Sequence, residues 1–303
     1  VKILLTGASG LVGSALARRA AAAGHEVFGV VGRWSETVPG TRGLIARDLA
    51  DPPVAQEIVR GLAPDCIINS AAVSEPAACE ANPAQARAVN VAFPAALAAV
   101  AAAARVRFIH LSTEQVFDGE GSPYRPDSPT RPLNLYGVQK REAEEWVVAA
   151  DPHAAVVRLP LLFGNSLTGR RSVHEKMFEA WAAGRVQPLF TDEFRQVCSA
   201  DSVAAMLLAL APRRDLRGVF HWAGARRVSR WEMGTAICAQ FGVPEKWIRA
   251  QQRAEEPAFA AKRPRDLALD TAPLDVELGV PRERFEDAVC ALIRPAWAAG
   301  LTL

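Results

Sequence analysis

Apolar and polar positions alternate in blocks from the first residue onward. A run rich in Val, Ile and Leu at 1–6 ends in glycine, and 10–23 follows as an Ala-rich stretch whose apolar residues recur at helical spacing. Gly24 stops that helix. The order then repeats: a strand at 26–31, a helix near 54–62, a strand at 66–69, a helix from about 82 to 104, a strand at 107–112, a helix at 135–150 and a strand at 154–159. The pattern predicts an α/β fold, a Rossmann-type doubly wound parallel sheet with helices on both faces. No internal repeat at solenoid periods is present.

Past about residue 162 the rhythm changes. Residues 164–172 are polar and loop-like, 173–183 read as a helix, 195–199 as a short strand, and Asp201 is placed to cap a helix running to Leu210. Residues 219–222 have the composition of a strand returning to the main sheet. Ser229 and Glu232 have the spacing of a capping box for a helix that Gly242 closes. The remainder, 244–303, carries many prolines and few strand-like runs. We therefore expect an NAD(P)-binding Rossmann domain from 1–162 plus about 200–224. A smaller C-terminal α/β substrate lobe from about 163–199 plus 225–303 is expected at the carboxyl ends of the strands, where open α/β sheets hold ligands.

Composition narrows the function classes. Half of the 303 residues are hydrophobic but only 7% are aromatic, so the core volume comes from Ala, Val and Leu, as helices layered on a sheet require. Lys and Arg number 35 against 33 Asp and Glu, with the signs interspersed, which offers no broad basic face to nucleic acid or membrane lipid. The apolar run 91–104 is mostly alanine and contains Pro94, so it reads as a buried helix. Cys66, Cys79, Cys198, Cys238 and Cys290 form no C-x-x-C pair and are odd in number, which fits a reducing cytosol, and residues 1–5 lack the pattern of a secretory signal. His25, His110, His153, His174 and His221 have no metal-ligand spacing; structural roles and no metal are expected.

Candidate chemistry begins at the first turn, Leu5-Thr6-Gly7-Ala8-Ser9-Gly10-Leu11-Val12-Gly13. Between a strand and a helix, Gly7 permits a tight turn, Gly10 lets backbone N–H groups approach a pyrophosphate, and Gly13 lets helix and strand pack closely. Gly7, Ser9, Gly10, Leu11, Val12 and Gly13 are therefore candidate cofactor-binding residues. The end of the second strand, Val30-Val31-Gly32-Arg33-Trp34-Ser35, has no carboxylate for a ribose 2′-hydroxyl, whereas Arg33 suits a 2′-phosphate, which favours NADP(H). Glu36 is near enough in sequence to reach a ribose instead, so NAD(H) stays open. Asp48, beside Leu49, is set either to accept from an adenine amino group or to cap a helix.

Tyr136 and Lys140, four apart at the start of a predicted helix, share one face. A nearby ammonium favours phenolate over phenol and is expected to lower the tyrosine towards the working range of a general acid or base. Thr113 lies 23 residues earlier at the carboxyl end of a predicted strand, placed to polarise the carbonyl that Tyr136 protonates.

In this order, the glycine turn, Asn69-Ser70-Ala71-Ala72, Ser112-Thr113, Tyr136 with Lys140, and Arg158-Leu159-Pro160 resemble an extended short-chain dehydrogenase/reductase over most of the chain. Within that superfamily, Val116-Phe117-Asp118-Gly119, Pro132-Leu133-Asn134-Leu135-Tyr136-Gly137 and Arg263-Pro264-Arg265 resemble the dTDP-4-dehydrorhamnose reductase family. Phe220-His221-Trp222 and Asn134-Leu135-Tyr136-Gly137 are also similar to the regulatory β subunit of methionine adenosyltransferase. The resemblance implies NADPH or NADH and reduction of a 4-keto group on a nucleotide-linked deoxysugar. Thr113, Tyr136 and Lys140 become the catalytic set, with Lys140 also on the nicotinamide ribose. Asn90 would support the site through backbone and water contacts, Ala71 and Ala72 would border the cofactor, and Pro160 would approach its carboxamide.

Glu114-Gln115 departs from the Asp-Tyr of the reductase pattern, which changes a contact to the sugar. Gln115 also cannot be the second acid that a 4,6-dehydratase needs. Ser74, Glu75, Glu114, Gln115, Arg195 and Arg263 are the candidate substrate contacts. Arg195, Arg263 and Arg265 are directed either to a diphosphate or to salt bridges. The expected partner is a small nucleotide sugar, with a homodimer as a further expectation. The alternatives are an NADP-binding regulatory subunit of a partner enzyme and a nucleotide-sugar epimerase.

Overall fold

The structure is a computed structural model that describes residues 1–51 and 53–303. Seven strands form one sheet: β1 (Lys2–Thr6), β2 (Glu26–Val31), β3 (Gly43–Ala46), β4 (Cys66–Asn69), β5 (Arg107–Thr113), β6 (Ala155–Leu159) and β7 (Gly218–His221). Their order is β7-β6-β5-β4-β1-β2-β3, and every neighbouring pair is parallel. Every residue of β6 is buried, and all but Arg158 are apolar, a run rather than an alternation, as expected of a strand covered on both faces. The chain direction around the sheet reverses between β1 and β4, which opens a crevice at their carboxyl ends.

The principal helices are α1 (Leu11–Ala22), α2 (Val54–Leu62), α3 (Phe93–Ala104), α4 (Leu135–Ala150), α5 (Val173–Ala182), α6 (Ala200–Leu210) and α7 (Arg230–Phe241). α1 and α6 cover one face of the sheet, while α2, α3 and α4 cover the other. The helix expected over 82–104 is continuous from Pro83–Ala104 but contains a π-helical segment, Ala88–Ala92, which carries Asn90. By length and composition Pro83–Ala104 could cross a membrane, yet Phe93, Leu97, Ala98 and Ala101 are buried in the core against the sheet.

A second core gathers Phe163, Phe178, Trp181, Met233, Ile237 and Phe285. It includes a strand pair absent from the sequence reading, Gln187–Phe190 parallel to Ile248–Gln251. The strand expected at 195–199 is two shorter ones: Phe194–Arg195 pairs with Val228–Ser229, and Cys198–Ser199 pairs with Leu162–Phe163. The cap of α6 is Ser199, whose hydroxyl accepts from the Ser202 N–H at 3.0 Å, and Asp201 lies in the first turn instead. The Ser229 and Glu232 capping box of α7 and the left-handed Gly242 after it are present. The tail divides between the cores, since Leu274 is buried with the helices α1 and α6. Trp222 is fully buried in the sheet's core, and Trp231 rests against the second core.

Candidate active site

A cavity of about 1550 Å³ lies at the carboxyl ends of the strands, between the sheet and the second core. One end is built from backbone. Gly7 has φ +68°, and a Cβ there would stand 2.8 Å from the Cα and N of Ala71. A Cβ on Gly13 would stand 2.2 Å from the Gly7 carbonyl oxygen. Gly10 precedes α1 with no side-chain cap, which leaves the first-turn amides without partners and suited to an anion. Ser9, Leu11, Val12, Ala71, Ala72 and Pro160 line the same end, as do Arg33, Asp48 and Leu49. Arg33 is exposed, and Arg47 stands beside it on the cavity wall, whereas Glu36 does not line the cavity. Asp48 Oδ1 accepts from the Ala50 N–H at 3.0 Å, a local turn. Close backbone approach, amides without a side-chain cap and the size of the cavity together fit a dinucleotide.

Thr113, Tyr136 and Lys140 line the middle of this cavity. Asn134 caps α4, its Oδ1 accepting from the Gly137 N–H at 2.9 Å, so Tyr136 and Lys140 fall in the first turns. A Cβ on Gly137 would meet the Gln115 carbonyl oxygen at 2.2 Å, so only glycine lets α4 press against the segment that follows Thr113. Burial pushes the Tyr136 phenol above its ordinary range, with Thr113 opposing in part. Burial brings Lys140 down to about 8, against the pull of Glu144. The expected lowering of Tyr136 by a neighbouring ammonium is therefore reversed: desolvation wins, and the phenol is stored in its acid form. Lys140 Nζ donates to the Leu111 carbonyl at 2.7 Å and lies 2.9 Å from His110 Nε2.

The facing wall is built from charge. Glu193, 1% exposed, is bound by Arg263 through two hydrogen bonds of 2.8 and 2.7 Å, with Arg195 at 3.2 Å and Arg230 and Arg253 each at 3.9 Å. Burial alone would raise this carboxyl, but Arg263 and Arg195 outweigh it and hold it at about 2. Arg195 also reaches Glu114 Oε1 at 3.1 Å. Burial of Glu114 prevails over Arg195 and the Leu161 N–H and pushes it up to about 8, so it is mostly protonated at neutral pH. Glu114 Oε2 is buried without a partner among the described residues.

Along the chain, this arrangement is matched by the family model described as RmlD substrate binding domain, over residues 1–297. The chain belongs to that family. This RmlD-family chain is 33% identical over 299 residues to a relative from Haloferax volcanii named "Probable low-salt glycan biosynthesis reductase Agl14", covering 95% of this chain and 96% of the relative. It is 30% identical over 289 residues to methionine adenosyltransferase 2 subunit beta from Pongo abelii, covering 92% and 83%. Its fold matches a dTDP-4-dehydrorhamnose reductase from Bacillus anthracis, solved in complex with NADP, at a TM-score of 0.81, 18% identity and coverage of 95% and 97%.

Among the candidate residues of this RmlD-family chain, Asn90 does not line the cavity. Fully buried, it acts one step away: Oδ1 accepts from the Val73 N–H at 2.8 Å, and Nδ2 donates to Gln139 Oε1 at 2.9 Å, which pins the segment after β4. Arg195 and Arg263 reach the cavity already engaged by Glu193, rather than free for a diphosphate, and Arg265 does not line it. Ser74 and Gln115 are on the wall, with Gln115 Oε1 accepting from Asn134 Nδ2 at 3.0 Å. Glu75 is on the wall too, ion-paired with Lys176 of α5. Lys176, Glu193, Arg230, Phe259 and Lys262 were missed, because only tertiary folding brings these segments to the cavity. The chain from His110 through Asn69 was missed as well, although both residues follow apolar strand positions, where a polar side chain signals a buried partner.

Proposed function

We propose that this chain is an NAD(P)H-dependent reductase of a nucleotide-linked 4-keto-deoxysugar, with NADP(H) preferred and the second core serving as its substrate lobe. The observation that carries the reading is a buried phenol, held in its acid form, on one wall with a hydroxyl and a lysine beside a glycine cradle. The reductase named among the relatives and the NADP complex of the structural neighbour support it. Bound in the cradle, the reduced nicotinamide supplies hydride. The first-turn amides of α1 hold the pyrophosphate, and Arg33, with no carboxylate beside it, pairs with a 2′-phosphate. Thr113 orients the ketone oxygen by donating its hydroxyl hydrogen, and Tyr136 gives that oxygen its proton. Lys140 positions the ribose side of the site. Protonated Glu114 and Gln115 bound the space next to the sugar.

NADPH consumption, followed by absorbance against a panel of nucleotide-linked 4-keto sugars, tests this directly. Consumption with at least one of them is expected. Tight dinucleotide binding with no consumption across the panel would refute the reading.

The 30% identity to methionine adenosyltransferase 2 subunit beta favours a second reading, an NADP-holding subunit that docks on a partner enzyme. Co-elution with a synthetase, together with no turnover of keto sugars, is the outcome that selects it.

A further inference from the structure

Gln139 has no task in the reaction above, yet it lies on α4 between Tyr136 and Lys140 with only 2% of its surface exposed. Its amide uses both ends. Oε1 accepts from Asn90 Nδ2 at 2.9 Å, and Nε2 donates to the Pro83 carbonyl at 3.3 Å. Asn90, in the π-helical segment Ala88–Ala92, continues the relay: Nδ2 also donates to the Val73 carbonyl at 3.1 Å, and Oδ1 accepts from the Val73 N–H at 2.8 Å. Val73 lies outside any strand or helix, so side chains supply the partners that a ladder gives elsewhere. The Cys79 thiol donates to the same Val73 carbonyl at 3.2 Å.

The orientation of both amides follows from the ends of the relay. A proline carbonyl can only accept, so Gln139 must turn Nε2 towards Pro83 and Oε1 towards Asn90. A main-chain N–H can only donate, so Asn90 must turn Oδ1 towards Val73, which leaves Nδ2 for Gln139. The two requirements agree. Removing the Gln139 amide strands a buried N–H on Asn90 and the Pro83 carbonyl, and it frees the Asn90 side chain on its α4 side.

Val73 is the boundary between two stretches of cavity wall. Ala71 and Ala72 border the glycine cradle, and their stretch is tied to β1: the Ser70 N–H and hydroxyl both donate to the Thr6 carbonyl, at 3.3 and 2.6 Å. Ser74 and Glu75 line the wall on the other side of Val73. Their tie runs through Val73 and Asn90 to Gln139, on the helix that carries Tyr136.

We propose that Gln139 is a positioning residue that sets the distance between Tyr136 and the wall at 73–75, and so the width of the space left for the sugar. This deepens the reductase reading and rests on it for what fills that space. The dinucleotide end, held separately by Thr6, is outside the reach of Gln139.

Two measurements on the full chain test this. Gln139→Met keeps the volume of the side chain and removes both of its bonds. Hydrogen exchange followed by NMR, without ligand, is expected to find the Val73 amide slow in the wild type and at least tenfold faster in Q139M, a larger change than at the amides of β6, which report global unfolding. With the keto sugar that supports NADPH consumption, Q139M is expected to raise KM at least fivefold, while kcat and the dissociation constant for NADPH stay within twofold. A loss of folded protein would lower apparent kcat and leave KM alone, so the split separates positioning from stability. A Val73 rate that changes no more than those of β6, or an unchanged KM, would overturn the proposal. Should Q139M not fold, the wild type decides: slow exchange of the Val73 amide and of the Asn90 side-chain amide is expected, and rapid exchange of either overturns the relay. If no keto sugar is consumed, the reductase reading fails while the exchange rates still decide the role of Gln139.

Discussion

The two walls of the cavity are made by different physics. The nucleotide wall is mostly main chain: residues 7–13 turn tightly because Gly7 takes φ +68°, and no side chain among the described residues caps the first-turn amides of α1. Its information is local, and so are its weak points, since a single added methyl collides with backbone. The facing wall is a charge cluster in which Glu193 gathers four guanidiniums from positions spread between 195 and 263. No short motif encodes that cluster. The first wall should therefore fail through ligand affinity and the second through stability of the second core.

Replacing the carboxylate at the centre of the charge wall tests this contrast hardest. Glu193→Gln leaves buried guanidiniums uncompensated and is expected to cost about 3–5 kcal/mol in urea unfolding, with dinucleotide affinity within about threefold of wild type if the protein stays folded. The pH dependence has a definite sign. Glu193 titrates at about 2 in the folded chain against about 4.3 for a free glutamate, so its contribution is complete above pH 4.3 and is lost as pH falls towards 2. Wild type should lose stability across that window more steeply than E193Q, and parallel curves would contradict the assignment.

The converse result is expected at Gly13. A Cβ 2.2 Å from the Gly7 carbonyl forces α1 away from the turn, so Gly13→Ala should lose about 1–3 kcal/mol of stability and at least tenfold in dinucleotide affinity by calorimetry. A variant with wild-type affinity would show that the close approach is unnecessary. The smallest effect sharpens the nucleotide wall itself. Arg33 is exposed, and Arg33→Ala should weaken NADP(H) about tenfold while changing NAD(H) little, a difference in dissociation constants of about 1.4 kcal/mol.

Much of this architecture could be read from the amino-acid order. Parallel strands buried on both faces stand out as apolar runs, and the turn before α1, the hydroxyl ending β5 and the pair on α4 are each fixed within a few residues of a strand or helix end. Other features resist such reading. Gln187–Phe190 and Ile248–Gln251 are four residues each, one containing Pro188, and their partner is 61 residues away in register. A spacing of four puts Tyr136 and Lys140 on one face but says nothing about how dry that face is, and dryness reverses the direction of the tyrosine shift. Likewise Arg195 and Arg263 are recognisable as anion-binding side chains, while the anion that engages them, Glu193, is known only once the chain is folded.

The central claim is that Tyr136 supplies the proton. With a keto-sugar substrate identified, Tyr136→Phe should reduce kcat by about 100-fold or more, as general-acid assistance of this kind contributes, and leave the dissociation constant for NADPH within twofold. Turnover by Y136F at the wild-type rate would contradict the account.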